Sequence, residues 1–196
     1  MSEANSTVTL LCISTRIIMM NSLPPALTQP TQTPAKRLWL LPMLLLLTIC
    51  SDQMTKYAAR SVLITAREIS FLKGLVTFSL VENHGGFLGI VSNLPVGLRF
   101  FFLNIFVALL LFGCLIYLLR FSRQNPHTWM PLALITGGGF SNLLDRLVGN
   151  GGVTDFIIVG LGDFQTGIFN LADVFILFGS FYLGFQLFRH AGNTSR

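Results

Sequence analysis

Long apolar runs separated by short polar clusters organise this chain. After Lys36 and Arg37 the sequence reads LWLLPMLLLLTICSDQMTKYAA, which predicts a membrane-spanning helix over about 38–58. LRFFFLNIFVALLLFGCLIYLL predicts a second over 98–119, closed by Arg120 and Arg123. WMPLALITGGGFSNLLDRL and IFNLADVFILFGSFYLGFQLF predict a third over 129–147 and a fourth over 168–188. Between the first two spans lies an outer loop, residues 59–96. Within it VTFSLVENHGG alternates Val76, Phe78 and Leu80 with Thr77 and Ser79 before a glycine turn, the period of a half-buried strand. The expected fold is an α-helical integral membrane protein: a four-transmembrane-helix bundle with a small β element on the outer membrane face.

The two ends read differently. MNSLPPALTQPTQTPAKR is rich in Pro, Thr and Gln and lacks periodicity, so residues 1–36 are expected to be a disordered extension. The apolar patch VTLLCIS ahead of it is a poor secretory signal, because Glu3 stands where positive charge belongs and no good cleavage site follows. Met19 and Met20 offer an alternative translation start. The folded domain should occupy 37–190, with 191–196 a flexible tail.

Composition agrees with a bilayer environment. Apolar residues make up 52% of the chain and charged ones only 11%, against about a quarter in soluble domains. The net charge of +5 does not imply nucleic acid, since the basic residues are scattered and mostly flank apolar runs as headgroup anchors. Lys36, Arg37, Arg120, Arg123 and Arg189 favour cytoplasmic termini. Cys12, Cys50 and Cys114 are far apart and form no CxxC pair, so they read as packing residues rather than a metal site or disulfide.

Polar residues inside such spans need a reason, because an acid or Arg at the centre of a spanning helix costs about 2.5–3.5 kcal/mol. Alternating helix direction brings Asp52 and Lys56, then Asn142, Asp145 and Arg146, then Asn170 and Asp173, to one membrane face. Asp155 follows in a glycine-rich loop after the third span. Each set recurs at i,i+3 or i,i+4, so it shares a helix face that should point into the bundle. Close carboxylates cannot both ionise easily. One keeps its proton and can polarise a carbonyl while the other activates water, and no metal, cofactor or covalent intermediate is required. His84, His127 and His190 lie near no suggestive Ser or Cys. Simpler roles remain open: an interfacial ion pair for Asp52 and Lys56, a lipid-phosphate anchor for Arg146, interhelical hydrogen bonds for Asn142 and Asn170, and a helix-end acid for Asp145.

Five blocks in order, SDQMTK (51–56), VENHGG (81–86), GGGFSNLLDR (137–146), VTDFI (153–157) and FNLAD (169–173), carry a resemblance. Residues 38–188 resemble lipoprotein signal peptidase, or signal peptidase II. The resemblance implies a bacterial intramembrane aspartyl endopeptidase of the cytoplasmic membrane, with its site on the outer side. Its substrates would be prolipoproteins, cleaved just before the diacylglyceryl-modified Cys. It maps the catalytic dyad to Asp155 and Asp173, and supporting or substrate-contacting roles to Asp52, Lys56, Asn83, Asn142, Arg146 and Asn170. An outer β-cradle would correspond to residues 71–91. The chain departs from the family where NHGGFLG replaces a pattern close to NxGAAFG, and where Ser141 replaces Gly.

Two other classes compete. A non-catalytic or narrow-range paralogue would bind lipoproteins with the same residues. A small proton-coupled transporter would want ionisable groups at mid-bilayer and inverted repeats, whereas these residues gather at one face and no repeat is visible.

Overall fold

The computed structural model describes residues 34–66, 68–86, 91–121, 128–162 and 164–194. Among them the chain forms four long helices and one small antiparallel sheet. Helix α1 is Pro34–Ala66; strands β1 (Glu68–Phe71) and β2 (Val76–Asn83) follow. Helix α2 begins at Val96–Phe100, passes through a π-helical turn over Phe101–Phe106 and continues as Val107–Phe121. Helix α3 is Trp129–Val148, strands β3 and β4 are Val153–Leu161 and Phe164–Gln165, and helix α4 is Leu171–Thr194. Two of the helices, over Val96–Arg120 and Leu171–Arg189, are long and apolar enough to cross a bilayer on length and composition alone.

Three predicted boundaries change. The first helix does not end near residue 58 but runs to Ala66, because Ala59 and Leu63 pack on Phe156 with Ile69, Phe78, Leu80 and Ile157 around them. Burial against the sheet extends the helix beyond its apolar run. The fourth helix starts at Leu171 rather than 168, since Phe169 is held in a bridge with Ile157 and Asn170 caps the helix. It continues to Thr194, into the segment expected to be a tail. The expected disorder of the N-terminal extension falls, through residue 33, outside the described residues.

Burial is reversed relative to a water-soluble bundle. Leu47, Leu109, Phe178 and Phe181 stand exposed on the helix surfaces, while the side chains most completely buried include Lys56, Asn170, Thr48, Thr136, Asp52 and Asp155. Helices whose outer face meets lipid sort their residues in this way.

Three successive glycines make α3 the centre of the bundle. A Cβ on Gly137 would lie 2.9 Å from the Thr48 Cβ of α1, one on Gly138 2.6 Å from the Ala172 carbonyl of α4, and one on Gly139 2.5 Å from Leu111 Cδ2 of α2. Each glycine admits a different neighbour, as small residues do between membrane helices.

The strands pair antiparallel in the order β1-β2-β3-β4. The predicted strand at VTFSLVEN is present as β2. Its register against β3 shifts between Phe78 and Val81, after which Val81 faces Asp155 and Asn83 faces Val153. That register sets Asn83 beside the acid of β3.

Candidate active site

The structure corrects the reading of Asp155 as a loop residue, for it lies within β3. The stretch VTDFIIV is rich in β-branched residues, and pairing with β2 on one side and the Phe169 bridge on the other draws it into the sheet. Asp155 is thus fixed by the β2 ladder at its own position and by the Phe169 bridge two residues on.

Asp173 is fixed differently. It sits in the first turn of α4. Its Oδ2 accepts the Asn170 backbone N–H at 3.1 Å, and the Asn170 Oδ1 accepts the Asp173 N–H at 3.0 Å. This reciprocal pair resembles a capping box, with an acid at the third helical position. The Asn170 and Asp173 spacing read from the sequence is therefore the spacing of a helix cap. One carboxylate oxygen serves the cap and leaves the other for the site.

Two amides join the acids. Asn170 Nδ2 donates to Asp155 Oδ1 at 2.6 Å and to Asn142 Oδ1 at 3.1 Å. Asn142 in turn donates from Nδ2 to Asp173 Oδ1 at 3.0 Å. On the opposite side, Asn83 Nδ2 donates to Asp155 Oδ2 at 2.9 Å and to the Gly86 carbonyl at 3.1 Å, while its Oδ1 accepts the Gly85 N–H at 2.9 Å. Gly86, at φ +71, closes that turn in the left-handed region that favours glycine. Burial pushes the Asp155 carboxyl up to about 6; the Asn83 hydrogen bond opposes this, the charge of Asp173 adds to it, and Asn170 and Lys56 oppose it.

Asp155, Asp173, Asn83, Asn142 and Arg146 all line one cavity of about 350 Å³, closed on its apolar side by Ile168, Phe169 and Leu177 among others. A second space of about 440 Å³ shares Asn142, Arg146 and Asp173 and extends along Ile176 and Leu177. Arg146 faces both. Among the described residues its Nη1 makes a long 3.5 Å contact with the Leu103 carbonyl, and its buried Nε has no hydrogen-bond partner. A guanidinium held in this way keeps donors for something else in the cavity.

Asp52 and Lys56 lie behind the cavity. Both are fully buried and form an ion pair at 2.7 Å, and Lys56 Nζ also donates to Asn142 Oδ1 at 2.8 Å. An interfacial ion pair that merely ends a helix would be wet. Seven of the eight residues singled out from the sequence are thus joined by hydrogen bonds and ion pairs, and the eighth, Arg146, lines the same cavity. Gln53 carries no signal in the sequence, Ser141 stands out there only as a departure from the family's Gly, and Asp145 only as a helix-end acid. Gln53 donates to Asp145 Oδ1 at 2.8 Å, and Ser141 donates to Asp52 Oδ2 at 2.8 Å. Only the i,i+3 spacing of Asn142 and Asp145 hinted that Asp145 turns inward.

Residues 44–189 match the family model described as Signal peptidase (SPase) II. The chain is 34% identical over 145 residues to the lipoprotein signal peptidase of Caldicellulosiruptor bescii, covering 74% of this chain and 88% of that protein. It is also 34% identical to the lipoprotein signal peptidase of Caldanaerobacter subterraneus subsp. tengcongensis, over 72% of this chain and 90% of that one. A bacterial membrane enzyme solved by the in meso method at 2.3 Å resolution matches the fold with a TM-score of 0.65 at 22% identity, over 78% of this chain and 90% of that one.

Proposed function

The chain belongs to the signal peptidase II family, and we propose that it is an aspartic endopeptidase that removes signal peptides from diacylglyceryl-modified prolipoproteins. Family membership makes it a membrane peptidase of lipoprotein processing. The finer reading assigns the bond cleaved, just before the lipidated Cys, and the groups that cleave it, Asp155 and Asp173. The observation that carries it is the amide bridge: Asn170 and Asn142 join the two carboxylates in one cavity.

In this mechanism the pair holds one proton. The ionised carboxylate takes a proton from a water, whose oxygen attacks the scissile carbonyl; the protonated carboxyl gives its proton to the developing oxyanion. On collapse of the tetrahedral intermediate the pair gives its proton to the departing amine while the other carboxylate takes one from the hydroxyl that becomes the new carbonyl, so the pair ends with the one proton it began with. The two acids titrate as a unit, so the roles belong to the pair. Arg146 and Asn142 then offer donors to the peptide backbone. The acyl chains stay in the lipid layer and the extended segment crosses the cavity mouth.

The four helices would all span the bilayer, with both termini cytoplasmic and the cavity on the outer side of the cytoplasmic membrane. The polar residues supplied by α1, α3 and α4 then share one interface level, where water and a lipid-anchored substrate can both reach.

The test is cleavage of a diacylglyceryl-modified prolipoprotein by purified protein in detergent, with Asp155→Asn and Asp173→Asn beside the wild type. Each variant should remain folded and lose cleavage. Retained cleavage in both would remove the dyad, and an inactive but folded wild type would favour a lipoprotein-binding paralogue.

A further inference from the structure

Asp52 and Asp145 stand in matching environments on either side of Lys56. The ammonium pairs with Asp52 Oδ2 at 2.7 Å and Asp145 Oδ2 at 3.0 Å, and its third donor goes to Asn142 Oδ1 at 2.8 Å. All three N–H groups of Lys56 are thereby used. Each carboxylate also takes one neutral side-chain donor, Ser141 for Asp52 and Gln53 for Asp145. Each then takes one backbone N–H. Asp52 Oδ1 accepts that of Ala172 at 2.8 Å, and Asp145 Oδ2 accepts that of Thr154 at 3.1 Å.

Those two amides belong to the residues immediately before Asp173 and Asp155. We infer that Asp145 and Asp52 are a matched pair of positioning residues, yoked by Lys56, each setting the backbone of one member of the proposed dyad. This inference rests on the dyad reading of the site and adds to it the device that fixes the separation of the two acids. One acid comes from a strand and the other from a helix, and among the described residues the backbone link nearest to both is the bridge of Ile157 with Phe169, just ahead of α4. A single buried ammonium, held from α1, ties both to the same point. It also orients the Asn142 amide: with Oδ1 accepting from Lys56 and Asn170, only Nδ2 is left to face Asp173.

Ser141 and Gln53 complete the yoke in this chain. Where the family pattern has Gly, the Ser141 hydroxyl gives Asp52 a second side-chain donor and itself accepts from Gln53 Nε2 at 3.0 Å. The hydroxyl thus links the two halves of the yoke through Gln53. Arg60, half exposed at the rim, donates to the Thr154 hydroxyl and sits 3.9 Å from Asp145, bracing the same segment from outside.

The experiment measures kcat and KM on a diacylglyceryl-modified prolipoprotein for full-length Asp52→Asn, Asp145→Asn, the double variant and Asp145→Ala. Misplacement of reacting groups by about an ångström lowers turnover by about a hundredfold. Asp145→Ala should therefore lose kcat by about ten- to a hundredfold at nearly constant KM. Asp145→Asn should recover part of it, because its amide oxygen still accepts the Thr154 N–H. The losses of Asp52→Asn and Asp145→Asn should not multiply in the double variant, since both act through one ammonium. Multiplied losses, unchanged kcat, or an effect on KM alone would each overturn the yoke. If Asp145→Ala does not fold, the near-isosteric Asn variants carry the test. Hydrogen exchange gives a readout without activity: the Thr154 and Ala172 amides should be protected in the wild type and loosen together in Asp145→Ala, and loosening at Thr154 alone would argue for two independent contacts. Asp155→Asn and Asp173→Asn run alongside. Cleavage by those variants would fail the dyad, whereas their inactivity with wild-type kcat in the Asp52 and Asp145 variants would fail only the yoke.

Discussion

The side-chain amide of Asn170 donates to Asp155 at 2.6 Å while its oxygen accepts the backbone N–H of Asp173 at 3.0 Å. One residue therefore caps a helix and touches both acids. The two roles separate by substitution. Asn170→Ala should lower stability by about 1 kcal/mol through the lost cap and abolish most cleavage. Asn170→Ser keeps a capping oxygen but is too short to reach Asp155, so thermal unfolding should return near wild type while cleavage stays low. Recovery of cleavage in the Ser variant would reduce Asn170 to a cap.

Asp155 carries a proton further up the pH scale than an ordinary carboxylate, to about 6, chiefly because it is buried. The folded state then binds more protons than the unfolded state between about pH 4 and about pH 6, so folding stability falls as pH rises through that window and is level above it. Asp155→Asn removes this titration. Relative to wild type, the variant should gain stability on going from about pH 4 to about pH 7.5, by up to about 2 kcal/mol. Thermal unfolding in detergent at the two pH values measures it, and a constant difference would mean that Asp155 ionises normally.

Much of the site is legible in the sequence because helices repeat locally. Asp52 with Lys56, and Asn170 with Asp173, are paired by spacing within one helix, and hydropathy gives the approximate course of four helices. What escapes is set by contacts between elements. The last turns of α1 are helical because Ala59 and Leu63 cover the sheet, which no apolar run announces. Asp155 is in a strand because β2 pairs with it from far along the chain. Asp145 reads as no more than a helix-end acid until Lys56 and Thr154 are seen on its Oδ2.

Arg146 faces the cavity with donors to spare. If it grips the substrate backbone, the planar fork matters and not only the charge. Arg146→Lys should then cut cleavage by about tenfold, since an ammonium cannot reproduce the paired geometry of a guanidinium, with little change in thermal stability. Wild-type rates would return Arg146 to the role of a lipid-phosphate anchor.

Gly138 tests whether the packing of α3 against α4 sets the position of Asp173. A methyl group at Gly138 would lie 2.6 Å from the Ala172 carbonyl oxygen and 3.0 Å from Ile176 Cγ1. The Ile176 side chain can turn aside, but the carbonyl belongs to the first turn of α4 and cannot move without carrying Asp173 with it. Gly138→Ala should therefore destabilise by about 1–3 kcal/mol, as overpacking does, and reduce kcat further than the loss of folded protein accounts for, because displacing a reacting group is costly in rate. Gly113 is the control, for a Cβ there meets nothing within 4 Å. Gly113→Ala should leave cleavage unchanged and unfold no earlier than wild type. If Gly138→Ala lost stability but kept its kcat per folded molecule, α4 could shift without disturbing the site, and Asp173 would be held by its cap and by Asn142 instead of by the helix contact.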